Sequence, residues 1–230
     1  MRSKRCSFCF GTLFLGVLVL TAGSAWAVPV TIQNPSFEAV VLANGAFTPS
    51  IPSWSFSGGD TGTFNPTVAA YPAEAPDGQN VAYVSQGSAP GDIVTQQILS
   101  ELLTAGTTYT LEVQVGQRAD GLTFGSFDLQ LVAGGVVLAS NNTASPAAGT
   151  FQNVMVVHTP SAGDPQLGQA LEIRLVASVA GGQQINLDDV RLDAAPQVPT
   201  VPGVGLVILA VALAALGAVF AARRRQITSY

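Results

Sequence analysis

Apolar residues recur at every second position along much of the chain between Val28 and Ala194, and no stretch there carries a long helical period. Successive side chains of a strand point to opposite faces, so a period of two marks strands that bury one face and wet the other. The clearest run is Thr108 to Val115, where Tyr109, Leu111, Val113 and Val115 share one side and Thr110, Glu112 and Gln114 the other. Phe127, Leu129 and Leu131 alternate with Asp128 and Gln130, and Leu171, Ile173, Leu175 and Ala177 with Glu172 and Arg174. Shorter runs fall at Trp54–Phe56, Val81–Val84, Ile93–Ile98, Val136–Leu138 and Val154–Val157. Turn signals such as Ala43-Asn44-Gly45, Pro76-Asp77-Gly78, Gly134-Gly135 and Gly181-Gly182 separate them. About ten short strands at this spacing predict an all-β fold, an antiparallel sandwich or barrel. The 167 residues of 28–194 are enough for one domain with a full core. Segments 58–80 and 141–150, rich in small, polar and turn-forming residues, read as loops, and loops at one rim of a sandwich commonly carry binding.

The last strand breaks its own pattern. Ile185 and Leu187 have one parity, Val190 and Leu192 the other, and the phase changes at Asp188-Asp189. Such a break predicts a β-bulge, which re-aims side chains. Two adjacent carboxylates there repel unless a cation or Arg191 compensates.

Charge is segregated. Lys and Arg cluster at the two ends, leaving Arg118, Arg174 and Arg191 against all fourteen acids in the middle, a net −11. That balance excludes a nucleic-acid binder, which needs clustered cations to neutralise phosphates. It suits neutral sugars or divalent cations. Residues 1–27 read as a Sec-type signal: Arg2, Lys4 and Arg5, an apolar run, then Ala25-Trp26-Ala27 as a small-x-small cleavage pattern. Both cysteines, Cys6 and Cys9, fall inside it, so the mature chain has no disulfide and no thiolate chemistry. A Pro-rich link over 195–203 precedes nineteen uncharged apolar residues, Val204 to Ala222, which would span about 28 Å as a transmembrane helix. Residues 223–230 then form a cytoplasmic tail led by Arg223, Arg224 and Arg225.

This tail resembles the C-terminal sorting signals of the PEP-CTERM class. The resemblance rests on Val198, Pro199, Thr200 and Pro202, the apolar stretch and the Arg cluster. It implies an exosortase-type membrane protease as partner. It also implies a chain held at the inner membrane before processing and then placed at the cell surface or outside the cell.

The body has its own resemblance. Asn34-Pro35-Ser36-Phe37-Glu38 near the start and Ile185-Asn186-Leu187-Asp188-Asp189-Val190-Arg191-Leu192 near the end frame Ile51-Pro52-Ser53-Trp54, Gly78-Gln79-Asn80-Val81-Ala82-Tyr83-Val84 and Thr107-Thr108-Tyr109-Thr110-Leu111. The series resembles the jelly-roll, galactose-binding-like folds of carbohydrate-binding modules, and more nearly the Stig cyclase (HpiC1-like) family of indole-terpenoid biosynthesis. The resemblance implies a structural Ca²⁺ pinning the first strand to the last, with Glu38 and one of Asp188 or Asp189 as ligands and carbonyls near Ser36 and Gly78 beside them. It also implies, for a cyclase, a hydrophobic substrate in an aromatic-lined cavity and a proton donor on the last strand. The family pattern there is Asp-aromatic-Asp, and this chain reads Asn186-Leu187-Asp188. An acid at Asp188 keeps the chemistry open; an amide at Asn186 does not.

Other chemistries find little support. His158 is the one histidine and no Ser-containing elbow motif accompanies it. Asp60, Glu74, Asp77 and Asp120 lie in loop-like stretches, and nothing in the sequence pairs them as a glycosidase would require. Trp54, Tyr71 and Tyr83 are the candidate rings for stacking a polysaccharide, with Tyr71, in a Pro-flanked loop, expected to be the most exposed. Two functions follow. The first is a non-catalytic, calcium-stabilised, carbohydrate-binding-like protein of the cell surface or extracellular matrix. The second is a Stig-cyclase-like enzyme acting on a hydrophobic indole-terpenoid-type substrate.

Overall fold

The computed structural model describes residues 26–57, 60–85, 92–179, 181–197 and 210–218. The chain divides into two units, one of residues 25–197 and a second whose described part is the 210–218 helix. The first unit holds twelve strands among its described residues: β1 (Val28–Pro29), β2 (Phe47–Thr48), β3 (Ser55–Ser57), β4 (Asp60–Phe64), β5 (Val81–Ser85), β6 (Asp92–Leu102), β7 (Thr107–Gln117), β8 (Ser126–Ala133), β9 (Val136–Asn141), β10 (Thr150–His158), β11 (Ala170–Ser178) and β12 (Gln184–Pro196). They form an antiparallel sandwich. One sheet runs β10-β7-β12-β5-β4-β2, with β1 also paired to β12, and the other runs β3-β6-β11-β8-β9.

The alternating residues meet where the period placed them. Tyr109, Leu111, Val113 and Val115 of β7, Leu129 and Leu131 of β8, and Leu171, Ile173 and Leu175 of β11 join one buried cluster. Trp54 belongs to the same cluster, tilted against Phe37 with ring centroids 5.7 Å apart. Its indole nitrogen donates to the carbonyl of Asn34 at 3.1 Å, which satisfies the one polar atom the ring carries into the core.

Strand β4 lies inside a segment that reads as loop. Its inward side chains are Thr61 and Thr63, so it shows no apolar alternation. Gly62 between them is required by close approach: a Cβ there would lie 2.0 Å from the carbonyl oxygen of Thr48 and 2.8 Å from the ring of Tyr83.

The bulge in β12 is present. Pairing with β7 shifts register between Asp188 and Arg191, and Asp189 has φ +49°. The extra residue is what lets Ile185 and Leu187 before it, and Val190 and Leu192 after it, all enter the core.

The transmembrane helix expected over 204–222 is corrected. Among the described residues no helix is long and apolar enough to cross a membrane; of that stretch, residues 210–218 are described and are helical. Residues 1–25 of the leader expected over 1–27, and the sorting residues Val198, Pro199, Thr200, Pro202, Arg223, Arg224 and Arg225, lie outside the described residues.

Candidate functional site

The seven-stranded sheet has a second buried face. Where Ala82, Val84, Ile185 and Leu187 turn inward, the residues of opposite parity turn away from the sandwich interior. Along one row across the sheet stand Phe151 of β10, Gly116 of β7, Asn186 of β12, Tyr83 of β5 and Gly62 of β4. Phe64, Ala70, Tyr71, Val81 and Tyr83 form a separate apolar cluster on that side, with Phe151 packed against it. Gly116 leaves the space that the Phe151 ring fills, since a Cβ would come within 2.4 Å of it.

Tyr71 is not the exposed ring the sequence suggests. It is 1% exposed and stacks on Phe151 at 4.4 Å. Its hydroxyl donates to Asn186 Oδ1 at 2.8 Å across 115 residues of sequence. Asn186 is itself fully buried, and its amide donates to the carbonyl of Ala82 at 3.2 Å. Burial pushes the Tyr71 phenol well above its ordinary value, so it stays a donor. The expectation of sugar stacking on Tyr71 and Trp54 is therefore corrected: both ring faces are covered by protein.

Beside this plug the face opens into a cleft of about 540 Å³, in contact with solvent. Phe47, Asp60, Phe64, Tyr83, Arg118 and Gln184 line it. Phe47 is 64% exposed at the lip and meets Tyr83 edge-on, centroids 6.0 Å apart. The Tyr83 hydroxyl donates to Asp60 Oδ1 at 3.1 Å, and Ser85 Oγ donates to Asp60 Oδ2 at 3.4 Å. Burial first, and the neighbouring Asp60 second, hold the Tyr83 phenol protonated. Arg118 stacks over Phe64, its guanidinium carbon 4.6 Å from the ring centroid. It forks onto Asp120 at 2.8 and 2.6 Å and reaches Gln184 Oε1 at 3.0 Å. That fork holds the Asp120 carboxyl below its usual range. Phe47, Arg118 and Gln184 escape sequence reasoning, because each belongs to a different strand or its edge and only sheet order unites them.

The acids of the expected calcium site lie at the other side of the same face. Both Asp188 oxygens accept backbone N–H groups, from Asp77 at 2.9 Å and from Asp189 at 2.7 Å. Asp188 is fully buried, and that desolvation raises its carboxyl to about 8. Glu38 Oε1 accepts from the backbone of Gln79 at 2.8 Å and of Asn80 at 2.6 Å. Gly78 permits this approach, at φ +75° with a Cβ position 2.6 Å from the Glu38 carboxylate. Asp189 instead grips Arg191 at 2.8 and 2.6 Å. The first segment is thus tied to the last strand, as Val190 N to the carbonyl of Pro35 at 3.0 Å also shows, by hydrogen bonds. Among the described residues no group of three or more His, Cys, Asp and Glu side chains could hold a metal ion. Of the three acids expected at a calcium site, Glu38 and Asp188 accept backbone N–H groups here and Asp189 pairs with Arg191. His158, at the end of β10, stands 3.8 Å from the Asp164 carboxylate.

Fold and cleft together define a jelly-roll sandwich that carries a partly aromatic site on the outside of its larger sheet. The family described as HpiC1 cyclase matches residues 28–193, and the chain belongs to this HpiC1-like family. A Stig cyclase, FisC from Fischerella sp. TAU, solved with (3Z)-3-(1-methyl-2-pyrrolidinylidene)-3H-indole, is similar at 29% identity and TM-score 0.69, over 74% of this chain and 99% of that one. A cyclase from Fischerella sp. TAU in complex with 4-(1H-indol-3-yl)butan-2-one gives 29% and 0.68, over 74% and 98%. The carbohydrate-binding module TmCBM61, solved with β-1,4-galactotriose, gives 18% and 0.48, over 71% and 97%. A search of curated proteins found no match. Family membership backs the enzymatic alternative better than the reading as a non-catalytic matrix protein.

Proposed function

We propose that this protein is a Stig-cyclase-like enzyme that binds a hydrophobic, indole-terpenoid-type substrate in the outer-face cleft. The observation that carries the reading is the meeting of an exposed ring, Phe47, a buried ring, Tyr83, and a carboxylate, Asp60, in one open cleft of a cyclase-family domain. An indole has a flat apolar body and one N–H donor. Such a ligand fits a site with aromatic walls and a few placed polar groups.

Acid-promoted ring closure is an isomerisation. A proton is added to the substrate skeleton, a carbon–carbon bond forms, and a proton is lost, so the formula is unchanged. Positive charge develops on the way. The faces of aromatic rings and a nearby carboxylate stabilise such charge where water is partly excluded. Asp60 is the carboxylate of the cleft and joins no ion pair among the described residues; it is placed to stabilise the developing positive charge and to take up the proton that is lost, the added proton coming from solvent at the open cleft. Asp188, the proton donor the family resemblance suggests, is sealed beneath the backbone of Asp77 and does not line the cleft. Asn186, two residues before it, carries an amide engaged with Tyr71.

Incubation of the full chain with a terpenoid-substituted indole, followed by mass spectrometry and NMR, tests the proposal. The expected result is an isomer of unchanged mass, with turnover lost in Asp60→Asn and kept in Asp188→Asn. Absence of any isomer, together with no binding of 4-(1H-indol-3-yl)butan-2-one, removes the reading.

A further inference from the structure

We infer that the outer-face cleft selects aromatic ligands that carry a positive charge, of the protonated arylalkylamine class. The inference rests on the reading of this cleft as an indole site and adds the charge of what it prefers.

The argument begins with a count of cations. The chain has a single lysine, Lys4, and the β-domain has three arginines. Each arginine is spent on an acid two residues away. Arg118 binds Asp120 at 2.6 Å, Arg174 binds Glu172 at 2.7 Å, and Arg191 binds Asp189 at 2.6 Å. Arg118 is the one that reaches the cleft, and it arrives already neutralised, with a third contact to Gln184. Asp60 takes part in no ion pair among the described residues. Its two oxygens accept from Tyr83 and Ser85, neutral hydroxyls that orient a carboxylate without cancelling its charge. The cleft therefore carries an uncompensated negative charge.

The rings point the same way. Phe47 and Asp60 share a neighbour, Tyr83, which meets the Phe47 ring at 6.0 Å and the Asp60 carboxylate at 3.1 Å. A ligand nitrogen seated at Asp60 thus stands beside an exposed aromatic ring whose face attracts cations. The domain's net −11 adds a long-range field of the same sign, which draws cations toward the surface. A neutral indole gains the apolar contacts and at most a hydrogen bond in which only the acceptor is charged. A protonated amine adds the attraction of its own charge, and a hydrogen bond with both partners ionised is the stronger kind.

Calorimetry of the full chain at neutral pH with tryptamine and with 3-(2-hydroxyethyl)indole, its neutral counterpart of nearly equal shape, tests the inference. Tryptamine is expected to bind at least about tenfold tighter, which is about 1.4 kcal/mol. The gap is expected to close in Asp60→Asn, to persist in the control Glu101→Gln, and to shrink as salt is raised. Equal binding of the two compounds overturns the charge preference and leaves the indole site standing. A gap that survives in Asp60→Asn, while that variant keeps the native melting temperature, overturns the assignment to Asp60. Failure of both compounds and of 4-(1H-indol-3-yl)butan-2-one to bind overturns the indole site itself.

Discussion

The two faces of the seven-stranded sheet are both buried, but by different chemistry. Toward the other sheet, β7 presents Tyr109, Leu111, Val113 and Val115, and β12 presents Ile185 and Leu187, an almost wholly apolar surface. On the far side β12 presents Gln184, Asn186 and Asp188, all buried as well, beneath Tyr71 and the turn at Asp77. Residues that alternation assigns to water are dry. A face that keeps buried amides and carboxylates must satisfy each of them with a specific partner. Such a face tolerates fewer substitutions without loss of order than the apolar one, and it is the face that opens into the cleft.

The contrast is sharpest at Asp188. Its carboxyl is raised to about 8 by burial, above the roughly 3.9 of an unfolded Asp. The folded state therefore holds a proton that the unfolded state has lost between those values. Stability contributed by this group falls as pH rises from about 4 through about 8, with a slope of up to about 1.4 kcal/mol per pH unit. Urea unfolding at pH 5 and pH 8 is expected to show this loss in the native chain and a shallower one in Asp188→Asn. Parallel curves would mean that the outer face is wetter than its geometry implies.

On the inner face the expected behaviour is that of an ordinary core. Leu111 is fully buried, and Leu111→Ala removes apolar contacts and leaves a cavity, at a cost of about 3 kcal/mol. Thermal melts should show that loss with little change in its pH dependence. The matching outer-face change is Tyr71→Phe. It keeps the ring on Phe151 but strips Asn186 Oδ1 of its 2.8 Å bond, leaving the longer one from Gln184 at 3.4 Å. A loss of about 1–2 kcal/mol is expected, because a buried acceptor loses its better partner. A loss near zero would reduce the Tyr71–Asn186 bond to a detail of packing.

What the sequence makes legible follows from the same contrast. A strand that buries apolar residues against the other sheet announces itself by alternation, as β7, β8 and β11 do. The phase change at Asp188-Asp189 gives away the bulge for the same reason, because core residues on both sides of it must point one way. Strand β4 stays hidden, since Thr61, Gly62 and Thr63 carry no apolar rhythm. The outer-face cluster stays hidden too. Its cover, the stretch that carries Tyr71, is 115 residues from Asn186, and local periodicity holds no information on such a pairing. Tyr71 misleads for this reason: flanking prolines describe its backbone, whereas its burial is decided by a distant strand. Asp60 is visible as an acid, but that it joins no ion pair among the described residues emerges only when the three arginines are seen to be taken up locally.

The smallest effect is expected where the outer face gives way to solvent. Asp189, the bulge residue, is bound by Arg191 in a two-point fork at 2.8 and 2.6 Å. The geometry is that of a strong pair, but the Arg191 side chain is 64% exposed, so water and salt screen it. The left-handed backbone of Asp189 is meanwhile fixed from elsewhere: Val190 N bonds to Pro35, and Asp189 N bonds to the Asp188 carboxylate. Arg191→Ala should therefore lower stability by no more than about 0.5 kcal/mol, with the difference fading at high salt. A larger loss by urea titration would make the ion pair, rather than the burial of Val190 and Leu192 beyond it, the force that holds the bulge in register.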